Sequence, residues 1–150
     1  MSTHKAWISW RAEGDFAEND YSRRHLWRFD GGAEVVGSSS PEVVPVPRSD
    51  PAGVDPEEAL VASAASCHML WFLDLARQAG LVVDSYEDEA VAEMGRVGPG
   101  KVAITRIILR PRIAFAGQAP DADALEHLHH QAHERCFIAN SLNCPIVVEG

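Results

Sequence analysis

Short runs rich in aromatic and aliphatic residues open the chain and predict β-strands. Ala6 to Arg11 and Tyr21 to Phe29 are two such runs, and a polar loop around Gly14 separates them. Because apolar runs bounded by turn residues are typical of strands, the two predict a hairpin that ends at Asp30-Gly31-Gly32. The segment from Gly37 to Gly53 holds four prolines and a triple serine, so we expect it to be extended and irregular.

The best-marked element is a long apolar helix predicted from Pro56 to Ala79. Asp55 is a suitable N-cap, Glu58 completes a capping box with it, and Gly80 provides the stop. Glu57 takes no part in the capping box, which makes it a candidate functional residue. Apolar positions form two stripes that cover most of the helix: Leu60, Ala64, Cys67, Trp71 and Leu75, and Val61, Ala65, Phe72 and Ala76. Such a helix must be covered on most sides, so we predict a sheet on one side and a partner subunit on the other.

Four further elements and a turn complete the prediction. They are strands at Leu81 to Met94 and Thr105 to Phe115, a turn at Gly95 to Gly100, a helix that opens at Pro120 and Asp121, and a closing strand at Pro145 to Glu149. Arg106, Arg110 and Arg112 alternate with apolar residues, which is typical of a half-solvated antiparallel strand. The predicted fold is therefore α+β, with one long central helix on an antiparallel sheet, in a single domain over residues 1–150.

Composition and charge narrow the possible functions. The 150 residues suffice for one domain with a core, and the net charge of -9 argues against binding nucleic acid or an anionic membrane. The N-terminus has no continuous apolar run, so no signal peptide is expected. Ser63, Ser66, His68 and Asp74 interrupt the apolar helix, so no membrane span is expected either. Three cysteines, an odd number, suit the reducing cytoplasm better than a disulfide framework.

Cys67 and Cys136 are the candidate reactive residues. Each lies in a predicted helix on a core-facing stripe, and neither belongs to the Cys-x-x-Cys motif of a zinc site. Buried cysteine commonly behaves as a small hydrophobe, so a core role and a redox pair both remain open. A reactive thiolate needs a nearby cation, and four arginines precede the helix: Arg23, Arg24, Arg28 and Arg48. Cys144, at a strand entry, is interpreted as structural.

Histidines cluster in the second helix. His129, His130 and His133 follow one another closely, and His129 and His133 share a face at a spacing that can bind metal. A zinc site would also need a carboxylate ligand at helical spacing or a third ligand from elsewhere, so a solvated face or a subunit contact is favoured. His68 points about 100° away from Cys67 around its helix, so it is not assigned as its base.

The run from Asp55 to His68, Asp-Pro-Glu-Glu-x-Leu-Val-Ala-x-x-x-Ser-Cys-His, precedes a late helix that carries Cys136. This arrangement resembles the OsmC/Ohr family of osmotically inducible and organic hydroperoxide resistance proteins, in an OsmC-like branch, over roughly residues 54 to 149. The resemblance implies an intertwined homodimer with two active sites at the subunit interface. It also implies thiol-dependent reduction of organic hydroperoxides, without a cofactor.

The resemblance assigns roles to the two thiols. Cys67 is expected to be the peroxidatic cysteine, oxidised to a sulfenic acid, and Cys136 the resolving one, whose disulfide a dithiol reductant resets. An apolar pocket formed by Trp71, Phe72 and their neighbours is expected to favour alkyl or lipid hydroperoxides. Better-known members carry proline after the resolving cysteine, whereas this chain has Phe137, so the local geometry is expected to differ.

The resemblance also implies a glutamate and an arginine at the site. The family's glutamate lies ten residues before the peroxidatic cysteine, and here that residue is Glu57. Its arginine partner varies in position between branches. Arg48 suits the OsmC pattern, and Arg23 or Arg24 suits the Ohr pattern, so all three remain candidates.

Two alternative functions remain open. A non-catalytic dimer of the same fold that binds an apolar ligand predicts that Cys67→Ser leaves function intact. A metal-binding protein that uses His129, His130 and His133 predicts stoichiometric zinc after purification.

Overall fold

A computed structural model describes residues 1–149, which fall into two compact units, Met1–Ala59 and a second that begins at Leu60. The elements are β1 (Ala6–Ser9), β2 (Gly14–Asp15), β3 (Asp20–Tyr21), β4 (His25–Phe29), β5 (Glu34–Gly37), α1 (Pro56–Gln78), β6 (Val82–Asp88), β7 (Val91–Gly98), β8 (Lys101–Leu109), β9 (Pro111–Ala116), α2 (Ala122–Arg135) and β10 (Ile146–Val148). A 3-10 turn, Ala139–Ser141, lies between α2 and β10. The α+β class is confirmed, and the single domain over residues 1–150 stays a prediction.

The first unit contains an antiparallel sheet in the order β1-β4-β5 and a two-residue hairpin, β2-β3. The predicted hairpin of β1 and β4 is confirmed, but a single strand from Tyr21 to Phe29 is wrong. Backbone bonds draw the middle of that run away from the sheet: Ser22 N donates to Glu13 O at 2.8 Å, and Arg23 N donates to Arg48 O at 2.8 Å. β5 was not predicted.

The signals at both ends of α1 act as the sequence predicts. The capping box is formed, because Glu58 N donates to Asp55 Oδ1 and Asp55 N donates to Glu58 Oε1, each at 2.8 Å. At the other end Gly80 has a φ of 80°, and this left-handed conformation lets Leu81 N donate to Ala76 O at 3.0 Å. The helix ends one residue before the predicted Ala79.

The strands of the second unit pair as β6-β9 and as a three-stranded sheet in the order β10-β8-β7. All pairs are antiparallel except that of β10 with β8. The single strand predicted over Leu81 to Met94 is two strands, β6 and β7, and the run from Thr105 to Phe115 divides at Arg110 into β8 and β9. The turn predicted from Gly95 to Gly100 begins too early, because β7 continues to Gly98 and the turn lies at Pro99 and Gly100. A Cβ at Gly95 would meet Thr105 Cγ2 at 3.0 Å, so this glycine permits a close strand contact.

α1 contributes to two core clusters of the second unit. Its buried positions are Val61, Ala64, His68, Phe72, Leu75 and Ala76. Phe72, Leu75 and Ala76 pack with Leu128 and Ala132 of α2, whereas Ala64 packs with residues of β8 and β10. The buried face therefore includes His68 and runs between the two predicted stripes. Leu70 is 60% exposed, on a side of α1 that the second unit leaves open.

By length and composition alone, α1 could cross a membrane, since its most apolar 18-residue window has a mean hydropathy of 1.5. The polar residues thus interrupt the helix less than expected. Core helices of globular proteins have the same composition. Because α1 packs against α2 in one core cluster and against β8 and β10 in the other, we interpret it as a core helix.

Candidate functional site

The structure brings Cys67 and Cys136 together as a pair of free thiols. Cys67 lies half-buried in α1, and Cys136, 1% exposed, is the C-cap of α2. Cys136 has φ -65° and ψ 116°, so it lies at the helix end and not within the helix as predicted. Its sulfur accepts a hydrogen bond from the N–H of Ala139 at 3.4 Å.

The surroundings of Cys136 favour its protonated form. Burial raises the pKa of the Cys136 thiol, the N–H of Ala139 acts in the opposite direction, and the neighbouring Cys67 thiol raises that pKa further. Cys136 is therefore an enclosed thiol that keeps its proton near pH 7, and Cys67 is the more accessible of the two sulfurs.

An apolar cavity of about 550 Å³, here called the thiol groove, opens beside Cys67. Its lining consists of Ser63, Ser66, Cys67, Leu70, Trp71 and Asp74 of α1, with Phe137 and Ile138 after α2. The rings of Phe137 and Trp71 meet edge to face with their centroids 5.5 Å apart. Phe72, expected in this lining, is fully buried in the core because it lies on the side of α1 that faces α2. A larger cavity of about 920 Å³ is lined by neither thiol.

Glu57 lies half-buried in the first turn of α1. It precedes Cys67 by ten residues on the same helix, which corresponds to a rise of roughly 15 Å. A glutamate side chain does not reach that far. Glu57 therefore cannot contact the sulfur of its own helix, and its role at a thiol site stays a prediction.

The three candidate arginines lie in the first unit and differ in how far their guanidinium groups are engaged. Arg23 stacks over the Tyr21 ring at 3.5 Å and donates to the Tyr21 carbonyl at 2.7 Å. Arg24 pairs with Asp50 at 3.7 Å. Arg48 donates to one backbone carbonyl at 3.3 Å. Within residues 1–149, Arg24 and Arg48 thus keep most of their donors available, and the choice among the three stays a prediction.

His68 and His129 form a buried pair in the second unit. His68 Nε2 lies 2.9 Å from His129 Nδ1, and the rings stack with centroids 5.2 Å apart. The side chains are 2% and 9% exposed, so the solvated face expected for His129 is wrong. His129 shares the buried face of α2 with Leu128 and Ala132. The sequence indicates burial of His68, because this residue falls on the apolar side of α1.

Both rings of the pair are neutral near pH 7. Burial, together with the smaller effects of His129 and His133, lowers the pKa of His68 from 6.5 to about 4. Burial also lowers the pKa of His129. Among residues 1–149, no group of three or more histidine, cysteine, aspartate or glutamate side chains is arranged to hold a metal ion.

Fold and site together define an α+β protein in which a long core helix presents one thiol to a second thiol at the end of a later helix. A family model described as OsmC-like protein matches residues 49–149. The chain belongs to the OsmC-like family.

Solved structures agree with this assignment. An OsmC-like protein of unknown function from Vibrio cholerae O1 biovar eltor str. N16961 has 48% sequence identity and a TM-score of 0.96, with 99% of each chain covered. An organic hydroperoxide resistance protein OsmC from Legionella pneumophila has 14% identity and a TM-score of 0.70, with 100% of each chain covered. An organic hydroperoxide resistance protein from Elizabethkingia anophelis has 15% identity and a TM-score of 0.71, with 100% of this chain and 97% of that chain covered. The last two show the fold alone. No curated protein matches the sequence.

Proposed function

We propose that this protein is a thiol-dependent peroxidase that reduces organic hydroperoxides. The observation that carries the proposal is that Cys67 and Cys136, two thiols far apart in sequence, lie next to each other beside an apolar groove. Membership of the OsmC-like family supports it, and so do structural relatives that are named organic hydroperoxide resistance proteins. The groove offers room for an alkyl or lipid chain next to the accessible sulfur.

In the first step the Cys67 thiolate attacks the distal oxygen of the hydroperoxide. The O–O bond breaks, the sulfur becomes a sulfenic acid, and the alkoxide leaves as an alcohol after taking a proton from solvent. Cys67 suits this step because it is the sulfur that lines the thiol groove. Cys136 is too enclosed to meet the substrate first.

In the second step the Cys136 sulfur attacks the sulfenic sulfur of Cys67. A disulfide forms, the S–O bond breaks, and the proton that Cys136 has kept leaves with the oxygen as water. A dithiol reductant then restores both thiols by exchange and is itself oxidised to a disulfide. We place this cycle in the cytoplasm, where reductants of this kind maintain free thiols.

A second subunit completes the proposed site. Since Glu57 cannot reach the sulfur of its own helix, any thiol that Glu57 serves belongs to another copy of the chain. The open side of α1 around Leu70 is an apolar surface that such a copy can cover. We therefore propose a homodimer in which Glu57, with an arginine, serves the partner's thiol pair.

Mass spectrometry under non-reducing conditions tests the proposal directly. One equivalent of an alkyl hydroperoxide is expected to produce a Cys67–Cys136 disulfide, with dithiol-dependent peroxide consumption in steady state. Cys136→Ser is expected to accumulate sulfenic or more oxidised Cys67, and Cys67→Ser to remain unreacted. Cys144→Ser is the matched control and is expected to behave as wild type. Absence of both the disulfide and the peroxide consumption would contradict the proposal.

The thiol groove also supports the alternative of a non-catalytic dimer that binds an apolar ligand. Native mass spectrometry of the purified protein distinguishes the two functions. A copurifying apolar ligand that is retained in Cys67→Ser, together with no peroxide consumption by wild type, favours the binding protein. Loss of peroxide consumption in Cys67→Ser favours the peroxidase.

A further inference from the structure

Helices α1 and α2 share one side-chain hydrogen bond within residues 1–149, the 2.9 Å contact of His68 with His129. Around it the interface is apolar, formed by residues such as Phe72, Leu128 and Ala132. Apolar burial is non-directional and tolerates small sliding movements of one helix on another. A hydrogen bond weakens steeply when its distance or angle changes, so it fixes the alignment of the two helices more narrowly.

The pair lies at positions that relate directly to both thiols. His68 follows Cys67 on α1, and His129 precedes Cys136 by seven residues, or nearly two turns of α2. His129 and Cys136 therefore project from the same side of α2. A bond between the two histidines sets where α2 lies along α1, and with it where the Cys136 thiol lies relative to Cys67.

Because both histidines are buried, a change in the alignment of α2 on α1 would cost free energy. Both imidazoles are almost fully enclosed, so a shift of α2 would leave two buried polar atoms without a partner. Phe72 stacks on the His129 ring with centroids 4.6 Å apart, which limits rotation of that ring. Since both rings are neutral near pH 7, one supplies an N–H and the other a lone pair.

We propose that His68 and His129 are positioning residues that fix the register of α2 on α1 and thereby hold the Cys136 thiol against Cys67. This positioning role adds to the proposed peroxidase function and depends on that function for its biological use. Its test needs no hydroperoxide, because the dithiol can be oxidised by glutathione disulfide. In that exchange one glutathione disulfide becomes two glutathione thiols while one Cys67–Cys136 bond forms.

The equilibrium constant of this exchange measures how well the two thiols are positioned, because alignment sets their effective concentration. The Cys144→Ser background excludes other disulfides. His129→Asn puts an amide near the place of Nδ1 and is expected to keep the constant within about threefold of the background value. His129→Gln puts the amide near the place of Nε2, breaks the bond to His68, and is expected to lower the constant about tenfold. His68→Gln keeps a polar group near Nε2 and is expected to match His129→Asn.

Leu128→Ala is the matched control, because it removes apolar packing from the same interface and leaves the histidine bond intact. It is expected to lower the urea midpoint but to leave the equilibrium constant within about twofold. The inference is overturned if Leu128→Ala lowers the constant as much as His129→Gln does, or if His129→Asn and His129→Gln behave alike. Either result would mean that the pair contributes general packing only.

The same measurements separate this inference from the proposed function. If the background protein forms no Cys67–Cys136 disulfide at any glutathione ratio, both the positioning role and the resolving step are wrong. If it forms the disulfide but consumes no hydroperoxide, the proposed function alone is wrong. The comparison of His129→Asn with His129→Gln then still decides the positioning role.

Discussion

Cys67 and Cys136 carry the same functional group in different surroundings. The Cys136 thiol is enclosed, and burial raises its pKa, while Cys67 lies half-buried at the lining of the thiol groove. Spacing in the sequence could not distinguish the two sulfurs, because both fell on apolar stripes. The distinction depends on which side of α1 is covered by α2, and this is a property of the packed helices.

Phe137 is the residue whose substitution best tests the substrate preference of the proposed peroxidase. Its side chain is 67% exposed and faces the Trp71 ring across the thiol groove. A contact between Phe137 and an aromatic ring of the substrate is expected to contribute about 0.5–1.5 kcal/mol. Phe137→Leu is therefore expected to lower kcat/KM for cumene hydroperoxide roughly three- to tenfold, and for tert-butyl hydroperoxide by less than about twofold.

Steady-state kinetics with the two substrates check this expectation. Val102→Ala changes an exposed apolar residue on β8, outside the thiol groove, and is the matched control. An equal loss with both hydroperoxides would contradict a role in substrate preference and would place Phe137 in the thiol chemistry itself.

At the scale of elements, Glu57 and Glu58 at the start of α1 are expected to have different roles. Glu58 belongs to the capping box, so Glu58→Ala is expected to lower the free energy of unfolding by about 1 kcal/mol. Glu57 has no part in that box. Glu57→Gln is expected to change stability by only a few tenths of a kcal/mol and to lower kcat/KM about tenfold or more.

Urea denaturation and peroxide consumption, measured on both variants, separate the catalytic role of Glu57 from the capping role of Glu58. The proposed role of Glu57 requires loss of activity without loss of stability, and the role of Glu58 requires the reverse. If Glu57→Gln retains wild-type kinetics, Glu57 has no part in the reaction.

How far the sequence predicts an element depends on whether its ends carry local signals. α1 was predicted to within one residue because Asp55, Glu58 and Gly80 act within a turn of their own positions. The division of Leu81 to Met94 into β6 and β7 was not predicted, since Glu89 and Ala90 carry no turn signal and the break arises from pairing with β9 and β8. Gly95 was wrongly predicted to begin a turn. A side chain at this position of β7 would crowd Thr105, which is distant in sequence, and the local sequence does not show that contact.

The candidate site shows the same limit. Sequence motifs led to Cys67 and Cys136 through the family resemblance, but the pairing of His68 with His129 was not anticipated. Each histidine could be placed on an apolar helix face. Which two faces meet depends on tertiary packing, and no spacing within either helix encodes it.

At the scale of the whole molecule, the buried histidines predict how stability varies with pH. His68 binds a proton near pH 6.5 in the unfolded chain and near pH 4 in the folded one. Between these values the unfolded state holds more protons, so stability falls as the pH drops from about 6.5 and levels off below about 4. The loss amounts to at most about 3 kcal/mol, and His129 acts in the same direction.

Urea midpoints of wild type and His68→Gln between pH 7 and pH 4 isolate this effect from that of the carboxylates. Wild type is expected to lose more stability over this range than the variant, because glutamine does not titrate. Parallel curves would show that His68 is not the titrating group.

Subunit mixing tests whether Glu57 acts on the partner's thiol. A heterodimer of Cys67→Ser and Glu57→Gln subunits has one site in which an intact Cys67 meets an intact Glu57, provided that the glutamate acts across the interface. Mixing the two inactive variants, with exchange of subunits, is then expected to restore about a quarter of wild-type activity. If Glu57 acts within its own chain, or if sedimentation shows a monomer, no activity returns.

The position of Cys136 at the end of α2 has a consequence for local motion. A C-cap can reorient through its own backbone torsions while the interior bonds of the helix stay intact, so formation of a disulfide need not unwind α2. The reduced sulfur also holds the N–H of Ala139 at the start of the 3-10 turn. When that sulfur is drawn into a bond with Cys67, this amide loses its acceptor and exchanges its hydrogen with solvent faster. The hydrogen-exchange rate of the Ala139 amide thus becomes a native reporter of oxidation at a single residue.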